Sequence, residues 1–213
     1  MSTFTILLGG DLLPTARLAG QIAGTRVIAA DSGIGHAVLL GLEPELWIGD
    51  FDSANREHLE RHSHVPRLTF PREKDKTDGE IAIDAAIERG ATSLVLCGAF
   101  GGVRADHAFL HLTFALRLAE QGPPAFLTSG NQEAWPIPAG AMAAFDPFPE
   151  GTLFSILPFS ELQDLTVEGA RWPLDHVRIP FGSSRTLSNV AENGLSIRLG
   201  KGRALLLAQF DAK

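Results

Sequence analysis

The sequence is poor in cysteine, in long apolar runs and in positive charge, and each shortage excludes a class of protein. A single cysteine, Cys97, rules out an internal disulfide framework. No apolar run approaches the roughly 20 residues that a membrane-spanning helix needs. The short run at residues 4–8 has no basic residue before it, unlike a signal peptide. We therefore expect a cytoplasmic protein.

The low share of basic residues limits the partners. Net charge is −7, so broad attraction to nucleic acid is not expected, and we expect no membrane partner. An anionic small molecule would need a metal ion or a few well-placed basic groups to bind. With 45% hydrophobic and 20% charged residues, the composition is that of an ordinary globular protein.

Short apolar runs alternate with helical patterns over the first 130 residues. We predict strands at residues 4–8, 27–30, 46–48, 67–70, 94–97 and 125–128. Between them, Thr77 and Glu80 have capping-box spacing, and Leu110, Phe114 and Leu118 form one apolar stripe. This alternation predicts an α/β domain with a doubly wound, mostly parallel sheet and helices on both faces.

The pattern changes near residue 130. From there to the end, short apolar stretches are separated by Gly, Pro and Asn, and no helical period is evident. Such a pattern is typical of an all-β, sandwich-like module. We therefore predict two domains, at residues 1–130 and 131–213.

Acidic residues follow four of the predicted strands, at the edge where ligands bind to an open parallel sheet. They are Asp31, Asp50, Asp52, Asp75, Asp78 and Asp106. Any one of them alone would be explained as a helix cap. Together they would repel one another unless a cation lay among them, and oxygen ligands suit Mg²⁺. The sequence therefore predicts a metal site.

Basic residues and glycines are interleaved with these acids. The basic residues are Arg72, Lys74, Lys76 and Arg104, and the glycines are Gly98, Gly101 and Gly102. The basic side chains could simply form surface ion pairs, but beside Mg²⁺ they would bind phosphate oxygens. The glycines would let backbone N–H groups approach an anion. Since the Walker A and dinucleotide fingerprints are absent, we predict a different kind of Mg²⁺-dependent enzyme that transfers phosphate groups from a nucleotide.

Several segments, taken in chain order, closely resemble the thiamine pyrophosphokinase (thiamine diphosphokinase) family. They are residues 30–33, 41–44, 49–53, 74–80, 101–107, 169–174, 187–189 and 202–206. The most specific signal is Gly-Asp-Phe-Asp-Ser at 49–53 followed by Asp-Lys-Thr-Asp at 75–78. The resemblance covers nearly the whole chain.

This resemblance implies a homodimeric transferase of thiamine diphosphate biosynthesis. Its α/β domain would bind nucleotide and metal, and its β-sandwich would bind thiamine and form the dimer. The kinase reaction converts ATP and thiamine to thiamine diphosphate and AMP, with the thiamine hydroxyl attacking the β-phosphorus. ATP is the co-substrate, and Mg²⁺, or Mn²⁺ in its place, is the expected metal.

The resemblance also implies roles for individual residues. The expected metal ligands are Asp50, Asp52, Asp78 and Asp106. The expected ATP-binding residues are Asp31, Ser32, Lys74, Asp75, Thr77 and Arg104. The expected catalytic residues are Asp78, Asp106 and Arg104, with either aspartate as the acceptor of the hydroxyl proton. The expected thiamine-binding residues are Ser188, Asn189 and Trp172, although Trp172 would equally suit a core position between sheets.

The chain departs from the family pattern at His111, Gly79 and Ser32, where the family often has Asn, a bulkier residue and Gly. These departures concern nucleotide contacts and leave the predicted metal ligands unchanged. Two other functions stay open: a metal-dependent phosphohydrolase, and a nucleotide- or thiamine-binding module without turnover. Release of AMP that depends on thiamine would separate the kinase from both.

Overall fold

The computed structural model describes residues 2–51, 55–70, 75–145 and 148–211, with the backbone alone at residue 193. In the first part of the chain, strands alternate with helices. The strands are β1 (Thr3–Leu7), β2 (Arg26–Ala30), β3 (Leu46–Gly49), β4 (Arg67–Thr69), β5 (Ser93–Cys97) and β6 (Ala125–Thr128). The helices are α1 (Ala16–Ile22), α2 (Ile34–Leu40), α3 (Arg56–Arg61), α4 (Asp78–Glu88) and α5 (Ala105–Gln121), with a 3₁₀ turn at Asp31–Gly33.

These six strands run parallel in the order β4-β3-β2-β1-β5-β6. β1 lies between β2 and β5, so the chain first extends the sheet on one side of β1 and then on the other. This is the switch point at which open parallel sheets bind ligands. The predicted doubly wound sheet is confirmed.

Both faces of this sheet are covered, which explains why its strands are continuous apolar runs in the sequence. Phe4 and Ile6 of β1 face one side and pack with α4 and α5. Leu7 faces the other side and packs with Leu18 of α1 and Ile34 of α2. The predicted helices on both faces are thus present.

The two longest helices have the apolar stripes that the sequence predicted. Ile83 of α4 is buried, as are Phe114 and Leu118 of α5, while Leu110 packs against the same core. Among the described residues, no helix is both long enough and apolar enough to cross a membrane.

The described part of the chain after residue 130 contains strands and no helix. Its strands are β7 (Gln132–Ile137), β8 (Met142–Ala144), β9 (Leu153–Pro158), β10 (Leu162–Ala170), β11 (Leu174–Ile179), β12 (Asn189–Lys201) and β13 (Ala204–Gln209). They pair antiparallel and enclose a second apolar core that includes Phe154, Leu165 and Ile197. The predicted strand-rich second part is confirmed.

The two parts are joined by hydrogen bonds between strands, which the sequence did not indicate. β7 pairs antiparallel with β6, with Leu127 opposite Ala134. The strand order therefore continues without a break as β6-β7-β13-β9-β12-β10-β11. The sheet changes from parallel to antiparallel pairing at this junction.

A buried carboxylate lies beside the same junction. Glu133 of β7 has no exposed side-chain surface and accepts hydrogen bonds from Arg17 Nε at 2.5 Å and Nη2 at 3.0 Å. Gln21 Nε2 and Trp135 Nε1 donate to it at 2.6 and 3.0 Å. The Arg17 guanidinium also lies 4.1 Å from the centre of the Phe210 ring. These contacts hold α1 against β7.

Candidate active site

A pocket of about 350 Å³ lies at the carboxyl ends of β1, β2 and β5, at the switch point of the sheet. We call it the strand-end pocket. Among the residues that line it are Gly10, Asp31, Ser32, Thr77, Asp78, Arg104 and His111. The pocket therefore combines carboxylates, hydroxyls, a guanidinium and an imidazole.

The floor of the strand-end pocket is made of backbone from two loops that pack tightly together. The Gly10 N–H donates to the Gly98 carbonyl oxygen at 2.9 Å. A Cβ atom at Gly10 would overlap the carbonyl oxygens of Gly98 and Phe100. Gly98 also has a φ of +74°, which an L side chain rarely adopts. Glycine is required here so that the loops after β1 and β5 can meet.

Asp31 follows β2 in a left-handed conformation, with a φ of 47°. Trp47 Nε1 donates to its carbonyl oxygen at 2.9 Å and helps to hold this strained backbone. The pocket walls displace water from the carboxylate, and this desolvation raises the pKa of Asp31. The Ser32 N–H opposes the rise, and the negative charges of Asp78 and Asp50 add to it. A bound cation would relieve the repulsion among these three oxygen-donor side chains.

Asp78 lies in the first turn of α4, where the helix dipole favours negative charge. The side chain of Thr77 accepts a hydrogen bond from the Glu80 N–H at 3.3 Å, which confirms the predicted N-cap. Glu80 does not complete a capping box, because Arg117 Nη1 donates to its carboxylate at 2.8 Å. The cap fixes where α4 begins and so directs Asp78 and Gly79 to the pocket.

Arg104 and Asp106 bind each other. Arg104 Nε and Nη2 donate to the two carboxylate oxygens of Asp106 at 2.9 and 2.6 Å. This charge-assisted pair holds the pKa of Asp106 well below its usual range, and the pKa of Arg104 is raised in turn. Arg104 lines the pocket, whereas Asp106 is not among the lining residues and is largely exposed.

The other predicted metal-binding and ATP-binding residues either are not in the pocket lining or lie outside the described residues. Asp50 directly follows β3 and is near enough to affect Asp31. Asp75 is exposed and lies outside the pocket lining. Asp52 and Lys74 lie outside the described residues, as does Arg72. In the described ranges, no three His, Cys, Asp or Glu side chains are arranged as a ready metal site. The metal ligands stay a prediction.

Two residues of this region, His111 and Trp47, contribute to the site although the sequence assigned neither of them a role. His111 is buried and lines the pocket, and its Nδ1 donates to the Ala99 carbonyl oxygen at 3.0 Å. Desolvation lowers the pKa of His111, so its ring is neutral near pH 7. Trp47 donates a hydrogen bond from Nε1 to the Asp31 carbonyl oxygen. In the sequence, the only feature that connected Trp47 with the site was its position in a predicted strand just before Gly49-Asp50.

A second pocket, of about 400 Å³, lies in the strand-rich part of the chain. We call it the apolar pocket. Its apolar wall comes from Phe154, Ile156, Val167 and Leu174. The three predicted thiamine residues also line it, which are Trp172, Ser188 and Asn189. Sequence segments more than fifteen residues apart are thus brought together.

The polar atoms of the apolar pocket are largely committed to the fold. Asn189 Oδ1 accepts from the N–H groups of Trp172 at 3.2 Å and Val190 at 2.8 Å, and Nδ2 donates to the Trp172 carbonyl oxygen at 2.8 Å. The Ser188 N–H donates to Ser155 Oγ at 3.0 Å. The Ser188 side chain and the Trp172 ring are exposed to the pocket, the latter with 56% of its surface accessible. Asn189 therefore positions Trp172, whose exposed ring has the Arg171 guanidinium 5.8 Å from its centre.

Comparison with known proteins gives the same assignment for both parts of the chain. Residues 23–127 match the thiamin pyrophosphokinase catalytic domain, and residues 144–203 match the thiamin pyrophosphokinase vitamin B1 binding domain. Thiamine pyrophosphokinase of Bacillus subtilis (strain 168) is 29% identical over 218 residues, with 99% of this chain and 100% of that protein covered.

Solved structures agree on the fold. The crystal structure of thiamine pyrophosphokinase from Bacillus subtilis has a TM-score of 0.86 at 24% identity and covers 99% of this chain and 100% of its own. The thiamin pyrophosphokinase structure from Geobacillus thermodenitrificans has a TM-score of 0.81 at 25% identity, covering 100% and 99%. With both of its parts matched in order and over nearly its full length, the chain belongs to the thiamine pyrophosphokinase family.

Proposed function

We propose that this protein is a thiamine diphosphokinase, which transfers a pyrophosphoryl group from ATP to the hydroxyl of thiamine and releases AMP. The observation that supports this most strongly is the pairing of two pockets in one chain of this family. One is rich in carboxylates at the switch point of a parallel sheet, and the other is apolar with an open tryptophan. A phosphohydrolase would have no need of the second pocket.

ATP would bind with its polyphosphate in the strand-end pocket. The glycine-built floor lets backbone N–H groups come close to phosphate oxygens, and the start of α4 favours an anion. Ser32 and Thr77 line the same space and add hydroxyl groups. Arg104 would exchange Asp106 for a phosphate oxygen, since both are anionic partners of the same guanidinium. Lys74 and Asp75 are included in the proposed ATP-binding set on the family resemblance alone.

Carboxylates suit a hard divalent cation, and those of Asp31, Asp50 and Asp78 are close enough to affect one another's charge unfavourably. Asp50, Asp52, Asp78 and Asp106 would hold Mg²⁺ or Mn²⁺. When bound, the ion supplies positive charge that neutralises the polyphosphate. Asp31 lies beside this set and adds to the negative potential of the pocket.

Transfer to an alcohol requires that the hydroxyl proton be accepted as the new P–O bond forms. Asp78 lines the strand-end pocket, whereas Asp106 is turned toward Arg104. We therefore assign the proton acceptor to Asp78. The leaving group is AMP, and Arg104 would balance the charge that develops on the phosphate oxygens.

Thiamine would bind in the apolar pocket, with one of its rings against Trp172. The thiazolium ring is cationic, and the open face of an indole attracts a cation. Ser188 offers a hydroxyl for hydrogen bonding to the pyrimidine. The contribution of Asn189 is mainly to hold the Trp172 backbone.

We further propose that the active unit is a homodimer. Four strand-to-strand steps separate β9, at the apolar pocket, from β5, the nearest strand of the strand-end pocket. At about 4.8 Å per step, this is roughly 19 Å along the sheet, longer than a thiamine molecule. The apolar pocket of one subunit would therefore serve the strand-end pocket of its partner.

This arrangement assigns residues 1–130 to a catalytic domain and residues 131–213 to a domain for thiamine binding and dimer formation. The two family models match on either side of this boundary, which supports the division. A cytoplasmic location fits the use of ATP and the single cysteine, Cys97, which is buried and whose thiol pKa is raised by desolvation to about 12.

Mass spectrometry of the products tests the function. The protein is incubated with ATP, thiamine and Mg²⁺, and parallel reactions omit thiamine or contain excess chelator. We expect thiamine diphosphate and AMP in equal amounts, and neither product in the two parallel reactions. Phosphate release without thiamine would indicate a hydrolase instead, and binding without any product would indicate a non-catalytic module.

Mixing two defective variants tests the shared site. Asp78→Asn disables the strand-end pocket and Trp172→Ala weakens the apolar pocket. If the pockets combine across subunits, a mixed dimer contains one intact pair. We expect activity at low thiamine to recover after the variants are unfolded and refolded together. No recovery, or a monomer by sedimentation, would refute the shared site.

A further inference from the structure

His111 of α5 is a buried histidine in the wall of the strand-end pocket, and no role assigned above uses it. Only 7% of its surface is accessible, yet it contributes to the pocket lining. Its neighbour His107, one turn earlier on the same helix, lies at the rim with a ring-centre distance of 6.4 Å. The two histidines are therefore in different environments, and His111 alone is held rigidly.

The hydrogen bond to Ala99 determines which nitrogen of His111 carries the proton. A backbone carbonyl oxygen can only accept, so Nδ1 must donate to it. In the neutral ring, Nε2 then has a lone pair and no hydrogen. The fold therefore makes Nε2, on the side of the ring away from the Ala99 carbonyl oxygen, a hydrogen-bond acceptor.

Nε2 is directed toward the start of α4. It would lie 3.7 Å from a Cβ atom placed on Gly79, so no side chain of residue 79 covers it, and Leu8 Cδ2 lies 2.9 Å from the same Cβ position. Among the described residues, no hydrogen bond is made by this nitrogen, and it is not among the fully enclosed polar atoms. It therefore opens onto the pocket.

The chemistry of this acceptor differs from that of the groups around it. Arg104, Ser32, Thr77 and backbone N–H groups can donate to phosphate oxygens, and carboxylates can hold a cation. A neutral Nε2 cannot bond to a phosphate oxygen, which is itself an acceptor, and the hard Mg²⁺ ion prefers oxygen ligands. What Nε2 can accept is a donated hydrogen, such as that of a hydroxyl group.

We propose that His111 Nε2 accepts a hydrogen bond from a hydroxyl group of a bound substrate. Under the proposed function, on which this inference rests, three hydroxyls are available: the 2′- and 3′-hydroxyls of the ATP ribose and the one on thiamine. All three have the same recognition chemistry. His111 would then make the protein prefer a hydroxylated substrate over its deoxy analogue.

Two substitutions separate this role from simple packing. His111→Asn can keep a donor to the Ala99 carbonyl oxygen, because the Asn amide nitrogen lies near the position of Nδ1, but it removes Nε2. His111→Gln extends an amide toward the position of Nε2 and can restore an acceptor. His64→Asn is the matched control, since His64 lies outside both pockets and bonds to Glu43. Melting temperatures identify any variant that does not fold.

Binding calorimetry with paired ligands gives the measurement. ATP is compared with its 2′-deoxy and 3′-deoxy analogues, and thiamine with an analogue that has a hydrogen in place of the hydroxyl. In the unmodified protein, one pair should differ in Kd by about five- to tenfold, the size of a single hydrogen bond. His111→Asn should reduce that difference to less than twofold, His111→Gln should restore part of it, and His64→Asn should leave it unchanged.

Each outcome decides the inference. Loss of preference in the ATP pair assigns the ribose hydroxyl, and loss in the thiamine pair assigns the attacking hydroxyl. A preference that survives in folded His111→Asn and His111→Gln, or that is absent from the unmodified protein, overturns the inference while leaving thiamine diphosphate formation untouched. Loss of the ATP preference in a protein that forms no thiamine diphosphate would uphold the hydroxyl contact and refute the proposed function.

Discussion

The strand-end pocket and the apolar pocket of this chain differ in the chemistry of their linings. The first gathers charged groups, including Asp31, Asp78 and Arg104, around a floor of backbone. The second is walled by apolar side chains, and the polar atoms of Asn189 are occupied within the fold. The first pocket is therefore suited to charge, and the second to shape and an aromatic face.

The two pockets also differ in how the backbone supports them. The strand-end pocket depends on strained or side-chain-free positions, such as Asp31 with its positive φ and Gly98 at the floor. The apolar pocket has one such position, Ser188 with a φ of 58°, but its apolar wall belongs to antiparallel strands β9, β10 and β11. Substitutions in the first pocket should therefore reduce chemistry, and those in the second should reduce affinity.

The largest effect on activity is expected for Asp78→Asn. The change removes one negative charge from the strand-end pocket but keeps the shape of the side chain. Turnover measured as thiamine-dependent AMP formation should fall about a thousandfold, as for loss of a preorganised electrostatic group. The melting temperature should change little, because the side chain is at a helix start and not in the core.

Glu88→Gln is the control for that prediction. It makes the same acid-to-amide change at the exposed other end of α4, outside both pockets. Its turnover should match the unmodified protein. Near-normal activity in Asp78→Asn would show that turnover does not need the negative charge of Asp78. The proposed difference between a charge-dependent strand-end pocket and the apolar pocket would then be wrong.

Much of the fold behind this comparison follows from local sequence patterns. The parallel strands are continuous apolar runs, and Thr77 with its spacing to Glu80 located the start of α4 correctly. The acids after the strands could be placed on one edge because parallel strands end there. These inferences needed only periodicity and the rules of parallel sheets.

Features that depend on contacts distant in the sequence could not be predicted. The pairing of β6 with β7 merges two sheets that the sequence pattern separates. The support of Asp31 by Trp47, sixteen residues later, likewise arises from three-dimensional packing. The hydrogen bonds that join the Asn189 amide to the Trp172 backbone have the same origin, and nothing in the sequence indicated them.

Arg17→Met tests the junction that joins the two regions. The substitution leaves Glu133 buried, with the Gln21 and Trp135 side chains still donating hydrogen bonds to it. Breaking such a buried pair should cost about 3 kcal/mol, since Arg17 itself is partly exposed. Thermal unfolding should show a melting temperature lower by roughly 6 to 12 °C.

Arg26→Met is the comparison for the junction. Arg26 pairs with Glu45 on the surface, where both side chains are substantially exposed. Surface pairs contribute little, so its melting temperature should stay close to that of the unmodified protein. Equal losses in the two variants would show that the junction has no special importance and that the two regions do not depend on each other.

A smaller effect, on affinity alone, is expected for Trp172→Ala. Removing the exposed indole should raise the KM for thiamine about five- to tenfold through lost cation–π contact, with the KM for ATP unchanged. Phe181→Ala is the control, since Phe181 is also an exposed aromatic but does not line the apolar pocket. A fall in kcat with an unchanged KM for thiamine would contradict the division of roles between the pockets.

The smallest effect on stability is expected for His176→Gln in the strand-rich region, because we assign the main stabilising role there to packing and not to charge. His176 bonds to the Asp164 carboxylate, which raises the pKa of His176 and lowers that of Asp164, while Asp175 adds to the first shift and Arg198 opposes it. The raised pKa means that the His176 contribution is complete below the unfolded value of about 6.5 and is lost as pH rises through the folded value. The Asp164 contribution is present above about pH 4 and is lost as pH falls through its lowered pKa.

His176→Gln should therefore melt slightly below the unmodified protein near pH 5 and at the same temperature near pH 9. A large difference that persists at pH 9 would mean that His176 acts through packing and not through its charge.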